Sequence, residues 1–168
     1  MRRTLSVMAA AMAVVVATAV LASSTLAGGS VAVSGTTPWA FGGLEVVKGA
    51  TYDVTAYGYV QTAKIPYYHV PGVSKSASGP AGQPDSPCLV GYENDVNGQC
   101  AVEDANFGAL VAVVINGDTG LAAAPPFVIG AAPSFVAPAD GWLFLAANDL
   151  NLSYYDNNGQ FGVVITGP

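Results

Sequence analysis

Positive charge is scarce in this chain: five Lys and Arg stand against eleven Asp and Glu over 168 residues. Two of the five, Arg2 and Arg3, sit at the extreme N-terminus, which leaves Lys48, Lys64 and Lys75 for the rest. Nucleic acid and anionic membrane surfaces are held by clustered Lys and Arg, so both are excluded as partners. Cations and neutral ligands remain compatible. Histidine is scarcer still, with His69 alone, inside Pro66-Tyr67-Tyr68-His69-Val70-Pro71. A Ser-His-Asp relay would have to use it, and no G-x-S-x-G elbow accompanies it. Zinc ligand sets and phosphate-cradling glycine loops are missing as well. A glycosidase needs two facing carboxylates, and no spacing among the eleven acids selects a pair. These absences argue for binding rather than catalysis.

Long hydrophobic runs are also few, and the main one opens the chain. Met1-Arg2-Arg3 precedes an apolar stretch from Val7 to Leu21, which gives way to small residues ending Thr25-Leu26-Ala27. A basic start, a short apolar centre and a small-residue finish are the marks of a secretory signal peptide. Thr18 and Ser23-Ser24 interrupt the run, which falls short of the roughly 20 apolar residues a membrane-spanning helix needs. Residues 1–27 are therefore expected to be removed on export, so the protein is expected to be secreted, with no transmembrane segment in the mature chain. The remainder, 28–168, is long enough for one domain that buries about two-thirds of its unfolded surface. Its three Lys against eleven acids give a net charge of about −8.

Only two cysteines occur, Cys88 and Cys100. In an exported chain such a pair is expected to form a disulfide, worth roughly 3 kcal/mol for so short a loop.

Sustained helical periodicity is absent, and Gly and Pro punctuate the chain too often for long helices. Strand signals are frequent. Leu44-Glu45-Val46-Val47 runs into a turn at Lys48-Gly49, after which Tyr52, Val54 and Ala56 alternate with polar residues. Gly108 to Ile115 is continuously apolar, as suits a strand covered on both faces, and Asn116-Gly117 ends it with turn chemistry. Phe135-Val136-Ala137, Trp142 to Ala146 and Phe161 to Thr166 follow, the first two separated by the turn Pro138-Ala139-Asp140-Gly141. Short strands between turns predict an all-β sandwich. Within it, Phe135, Trp142 and Phe144 are expected in the core. Residues 64–107 hold five prolines, both cysteines and almost no strand pattern; long loops of this kind are commonly functional.

The segment richest in chemistry is Asn148-Asp149-Leu150-Asn151-Leu152-Ser153-Tyr154-Tyr155-Asp156-Asn157-Asn158-Gly159-Gln160-Phe161. It packs oxygen-bearing side chains between two apolar strands, and calcium takes six to eight such oxygens. An ordinary turn would draw on the same residue types, so composition leaves both readings open. Glu93-Asn94-Asp95-Val96-Asn97-Gly98, ending at Asp104, has EF-hand spacing, but a disulfide-closed hairpin turning at Asn97-Gly98 is the better expectation.

The Asn148–Phe161 segment resembles the calcium- and galactose-binding loop of the bacterial PA-IL-like lectins, keeping Asn148-Asp149, Asn157, Gly159 and Phe161. Ser78-Gly79-Pro80-Ala81-Gly82 is similar to that family's Gly-Pro-x-Gly loop, and Phe107-Gly108-Ala109-Leu110-Val111 to its Cys-Gly-Ala-Leu-Val strand. Trp39, Gly43, Val46 and Gly49 also fit, so the likeness spans 39–166. It implies a small jelly-roll-like β-sandwich that binds neutral, galactose-type sugars through Ca2+. By the same resemblance Asp149, Asp156 and Asn157 would ligate calcium with side-chain oxygens, and Ser153 and Thr62 with backbone carbonyls. Thr62 comes from a gapless count from Gly58. Vicinal sugar hydroxyls would complete the shell, contacted by Asp149, Asp156 and Asn157.

Two departures stand out. Asp156 occupies a position where the family usually has Asn, which adds negative charge to the site. No His follows the Gly-Pro loop to hold the sugar's outer hydroxyl, so Gln83 or Asp85 is expected to serve. Tyr154 and Tyr155 lie in the loop, and both are candidates for stacking on a sugar. An oligomer is compatible with this reading, since weak single sites gain by avidity. The rival reading is a structural or adhesive surface domain with at most a structural calcium.

Overall fold

A computed structural model describes residues 29–62, 76–88, 100–150 and 154–168. The proposed signal peptide, His69, Ser153 and Glu93 to Gly98 of the EF-hand-like stretch lie outside the described residues.

Among the described residues nine strands form two antiparallel sheets. The strands are β1 (Gly29–Ser34), β2 (Ala40–Val46), β3 (Thr51–Thr62), β4 (Ser76–Ser78) and β5 (Leu110–Ile115). They continue with β6 (Phe127–Val128), β7 (Ser134–Val136), β8 (Gly141–Ala147) and β9 (Asn158–Thr166). One sheet runs β1-β9-β3-β4, with β7 pairing the other end of β3; the second runs β2-β8-β5-β6. The all-β sandwich expected from the strand pattern is present.

Alternation decides which side chains meet between the sheets. Val33, Tyr52, Val54, Val60, Phe161, Val163 and Ile165 point inward from the first sheet. Leu44, Val46, Leu110, Ala112, Val114, Leu143, Leu145 and Ala147 answer from the second. In the first half of β3 the intervening residues Thr51, Asp53 and Thr55 are polar, so the strand's phase follows directly from its sequence there. In β5 five consecutive residues are buried, as its unbroken apolar run requires. Asn116 closes that strand as anticipated: its Oδ1 accepts from the backbone N–H of Asp118 and of Thr119. At the opposite turn the Lys48 N–H donates to Asp140 Oδ1 at 2.7 Å, tying β2 to the approach of β8.

Two expectations are corrected. Phe135 is buried and stacks on Tyr52, but Trp142 and Phe144 are not core residues. They lie with Phe41 on the outer face of the second sheet, with ring centroids 5.6 and 5.3 Å from that of Phe41. Trp142-Leu143-Phe144-Leu145 is apolar on both phases, and the leucines take the interior. The 64–107 segment also contains a strand, β4, whose three residues are too few to show a period.

The disulfide is formed between Cys88 and Cys100. With Phe107 and Leu150 it makes a second, smaller core outside the sandwich.

The inward and outward phases predict different costs for removing an aromatic ring. Phe161→Ala should destabilise the domain by about 3–5 kcal/mol, and Phe41→Ala by about 1 kcal/mol or less, measured by chemical denaturation. Comparable losses for the two would refute the assigned phases.

Candidate functional site

Strands β8 and β9 are joined by the segment that carries the oxygen-rich side chains, and the two ends of that segment are locked in different ways. At the β8 end, Asn148 is fully buried. Its backbone N–H donates to Ala109 O and its carbonyl accepts from the Gly108 N–H, at 2.7 and 2.8 Å. Its side-chain Nδ2 lies 3.0, 3.1 and 3.3 Å from the carbonyls of Val102, Ala105 and Asn106, while Oδ1 accepts from the Val102 N–H at 2.9 Å. One amide thus fastens the disulfide-bearing loop to the sandwich. The next residues continue the fastening: Ala101 N–H donates to Asp149 O, and Leu150 packs on the disulfide.

At the β9 end a single 3-10 turn, Tyr154–Asp156, delivers Asp156 and Asn157. Asn157 Nδ2 donates both to Gly35 O at 2.9 Å and to Asp149 Oδ2 at 2.7 Å. Those two acceptors fix the orientation of the amide. Its Oδ1 is left buried with no hydrogen-bond partner, and so is one oxygen of Asp156, Oδ1.

Asp149 is only 2% exposed. Besides the Asn157 bond it accepts from the Leu150 N–H at Oδ1, 2.7 Å away. Burial pushes its pKa up to about 6, opposed by those two hydrogen bonds and reinforced by the negative Asp156 nearby. Among the described residues the only basic side chain is Lys48, which belongs to the β2–β3 turn. Two neighbouring carboxylates therefore lie together with no positive group beside them among the described residues.

Thr62 ends β3, and the register Gln61↔Asn158 extended by one residue sets it across from Asn157. Its buried hydroxyl accepts from Gln83 Nε2 at 2.7 Å. Gln83 is itself buried, held by a backbone bond from its N–H to Phe107 O. The tight Gly-Pro turn brings it there. Gly82 N–H donates to Gly79 O, and Gly82 has φ +80° with the backbone of Phe107 and Ala109 so close that a Cβ would lie 2.9 Å from each. Only glycine fits. Asp149, Asp156, Asn157, Thr62 and Gln83 thus gather at one end of the sandwich. Asp85 is exposed at the turn after Gln83 and has a φ of +54°.

Tyr154 requires a correction. Its ring is 4% exposed and its hydroxyl donates to Ala147 O at 3.0 Å, so it packs inside and offers no face for a sugar. Burial and the neighbouring Asp149 carboxylate both raise its pKa. Tyr155, 80% exposed, is the loop's outward ring.

No protein-family model matches the chain, and no curated protein matches it in sequence. A solved structure described as "EclA N-terminal domain; PllA-like lectin" does match in three dimensions, with a TM-score of 0.50. The fold is that of a lectin domain. At 18% identity the likeness covers 83% of this chain and 95% of the lectin domain, and it concerns the sandwich as a whole.

Sequence pattern does not reveal Asn148 as a brace or Gly35 as a partner of Asn157. The bonds concerned span 42 to 46 residues for Asn148 and 122 for Asn157, distances over which no local pattern carries a signal.

Removing the brace has a predictable cost. Asn148→Ala would leave several half-buried backbone groups between 102 and 106 without their partner and should destabilise the fold by about 1–3 kcal/mol. Urea denaturation reads this directly, and a change under about 0.5 kcal/mol would show that the loop does not depend on Asn148.

Proposed function

We propose that this protein is an exported, calcium-dependent carbohydrate-binding protein that performs no covalent chemistry. The observation that carries the proposal is the group of buried oxygens around Asp149. Asp156 Oδ1 and Asn157 Oδ1 are buried without a donor, and two carboxylates lie together with no positive partner among the described residues. Such an arrangement costs free energy in the absence of a cation. Calcium fits this donor set, being a hard cation that binds carboxylate, amide and carbonyl oxygens.

Asp149, Asp156 and Asn157 would hold the ion through side chains, with the backbone carbonyls of Ser153 and Thr62 completing the protein's share. Bound calcium supplies a positive centre with open positions for the vicinal hydroxyls of a neutral sugar. The chain's own contribution is orientation. Asn157 is locked by Gly35 and Asp149, and Gln83 is anchored on Thr62 at the edge of the same group. The sugar proposed is galactose or a relative, bound outside the cell; the basic-then-apolar N-terminus and the disulfide support export.

A second reading has one observation in its favour. Gln83 is buried with its amide nitrogen committed to Thr62, so one of the two residues expected to reach a sugar's outer hydroxyl faces inward. A structural or adhesive domain whose calcium only stabilises the loop would look the same.

A glycan array probed with the mature, disulfide-intact chain separates the two. Binding to terminal galactosides that vanishes with chelator, and with Asp149→Ala, is the expected outcome. A blank array together with a calcium-induced rise in melting temperature would leave only the structural ion. The extra charge at Asp156 gives a further test. Asp156→Asn should weaken calcium binding by about tenfold in calorimetry, and an unchanged affinity would show that the carboxylate does not ligate.

A further inference from the structure

A groove of about 400 Å³ crosses the outer face of the first sheet, over β1, β9 and β3. Its lining comes from Ser30, Val31 and Ala32 of β1, Gly159, Gln160 and Gly162 of β9, and Tyr57 to Tyr59 of β3. The depression follows from side-chain size along one row of the sheet. Tyr57 pairs with Gly162, and Gly162 pairs with Ala32, so a large residue is followed by two small ones. The Tyr57 ring lies directly over Gly162, where a Cβ would collide with it. In the next row Tyr59 pairs with Gln160, which stands as a wall beside the trough. Tyr57 and Tyr59 are 60% and 56% exposed, an unusual state for two large rings on one strand.

We infer that this groove is a second, metal-independent binding site for a neutral oligosaccharide, with Tyr57 and Tyr59 as stacking platforms and Gln160 and Ser30 as hydrogen-bonding groups. Three features of the groove select that occupant. Its lining contains no charged side chain, in a chain whose mature part carries a net charge of about −8, so neither a cationic nor an anionic partner finds a handle. Aromatic faces next to hydroxyl and amide groups match a pyranose, which presents apolar C–H faces and a polar rim. The size also fits. Nine residues make the lining, whereas a stable protein interface takes about 20–30 residues a side. Gly159 lines the groove two positions after Asn157, so both sites open along the same strand, yet neither tyrosine belongs to the calcium donor set.

The test is an array of neutral linear gluco-, manno- and galacto-oligosaccharides, probed with the mature chain in the presence of chelator, followed by calorimetry on the strongest probe. Binding should persist without calcium. Tyr57→Ala and Tyr59→Ala should each weaken it about tenfold, while Tyr57→Phe keeps the ring and most of the affinity. Tyr59→Ala should leave the calcium-induced shift in melting temperature unchanged, which keeps this site's fate separate from that of the Asp149 site. Because Tyr57 packs on Gly162, Gln160→Ala serves as a variant that disturbs no packed ring, and it too should weaken binding. A blank array in chelator, or binding indifferent to the tyrosine and glutamine variants, would overturn the inference. So would sedimentation showing a dimer that Tyr59→Ala converts to monomer, since the groove would then be filled by a second copy.

Discussion

The pairing of β3 with β9 is the constraint on which the rest depends. Its register runs without a break from Asp53↔Thr166 to Gln61↔Asn158. Because side chains alternate across a strand, that single register puts Val54, Val60, Phe161 and Ile165 into the core and Tyr57, Tyr59, Gln160 and Gly162 onto the outer face. A slip of one residue would exchange the two sets. The same ladder delivers Thr62 and Asn157 to the same end of the sheet, where the oxygen-rich segment leaves β9. Core, groove and candidate calcium site are therefore three consequences of one strand pair.

Legibility in the sequence follows the same logic. In β3, where polar and apolar residues alternate, the inward set of Tyr52 and Val54 is plain from the alternation alone. In β8 every residue from Trp142 to Ala146 is apolar, so the sequence contains no signal for which phase faces in, and ring size alone points to the wrong side. β1 carries no clear signal because its partner, β9, lies at the far end of the chain, and a short run of small and β-branched residues says little alone. The candidate site divides similarly. Its side-chain oxygens are local in sequence and stand out by composition. What holds them is not local: Asn148 reaches the 102–106 loop and Asn157 reaches Gly35. The inward turn of Tyr154 is likewise hidden, since two adjacent tyrosines differ only in which side of a single 3-10 turn they occupy.

The disulfide and the Asn148 brace bear on how a buried carboxylate, Asp149, is tolerated beside the half-buried Asp156. Burial raises the pKa of Asp149, and the charge of Asp156 beside it adds a smaller push in the same direction, so the loop between β8 and β9 carries an electrostatic cost. On the Asp149 side this is resisted by contacts independent of any ion. Leu150 is pinned against Cys88, Cys100 and Phe107, and Asn148 is bonded on both its backbone and its side chain. On the Asp156 side the resistance is weaker, resting on the Asn157 amide and one 3-10 turn. The proposed ligand set is thus half preorganised: one carboxylate is fixed by the scaffold, and the other stands on a short turn beside it. Preorganisation of this kind lowers the ordering cost that binding must meet. It also gives the proline-rich segment a physical role, because the small core around the disulfide holds Leu150, whose N–H donates to the Asp149 carboxylate.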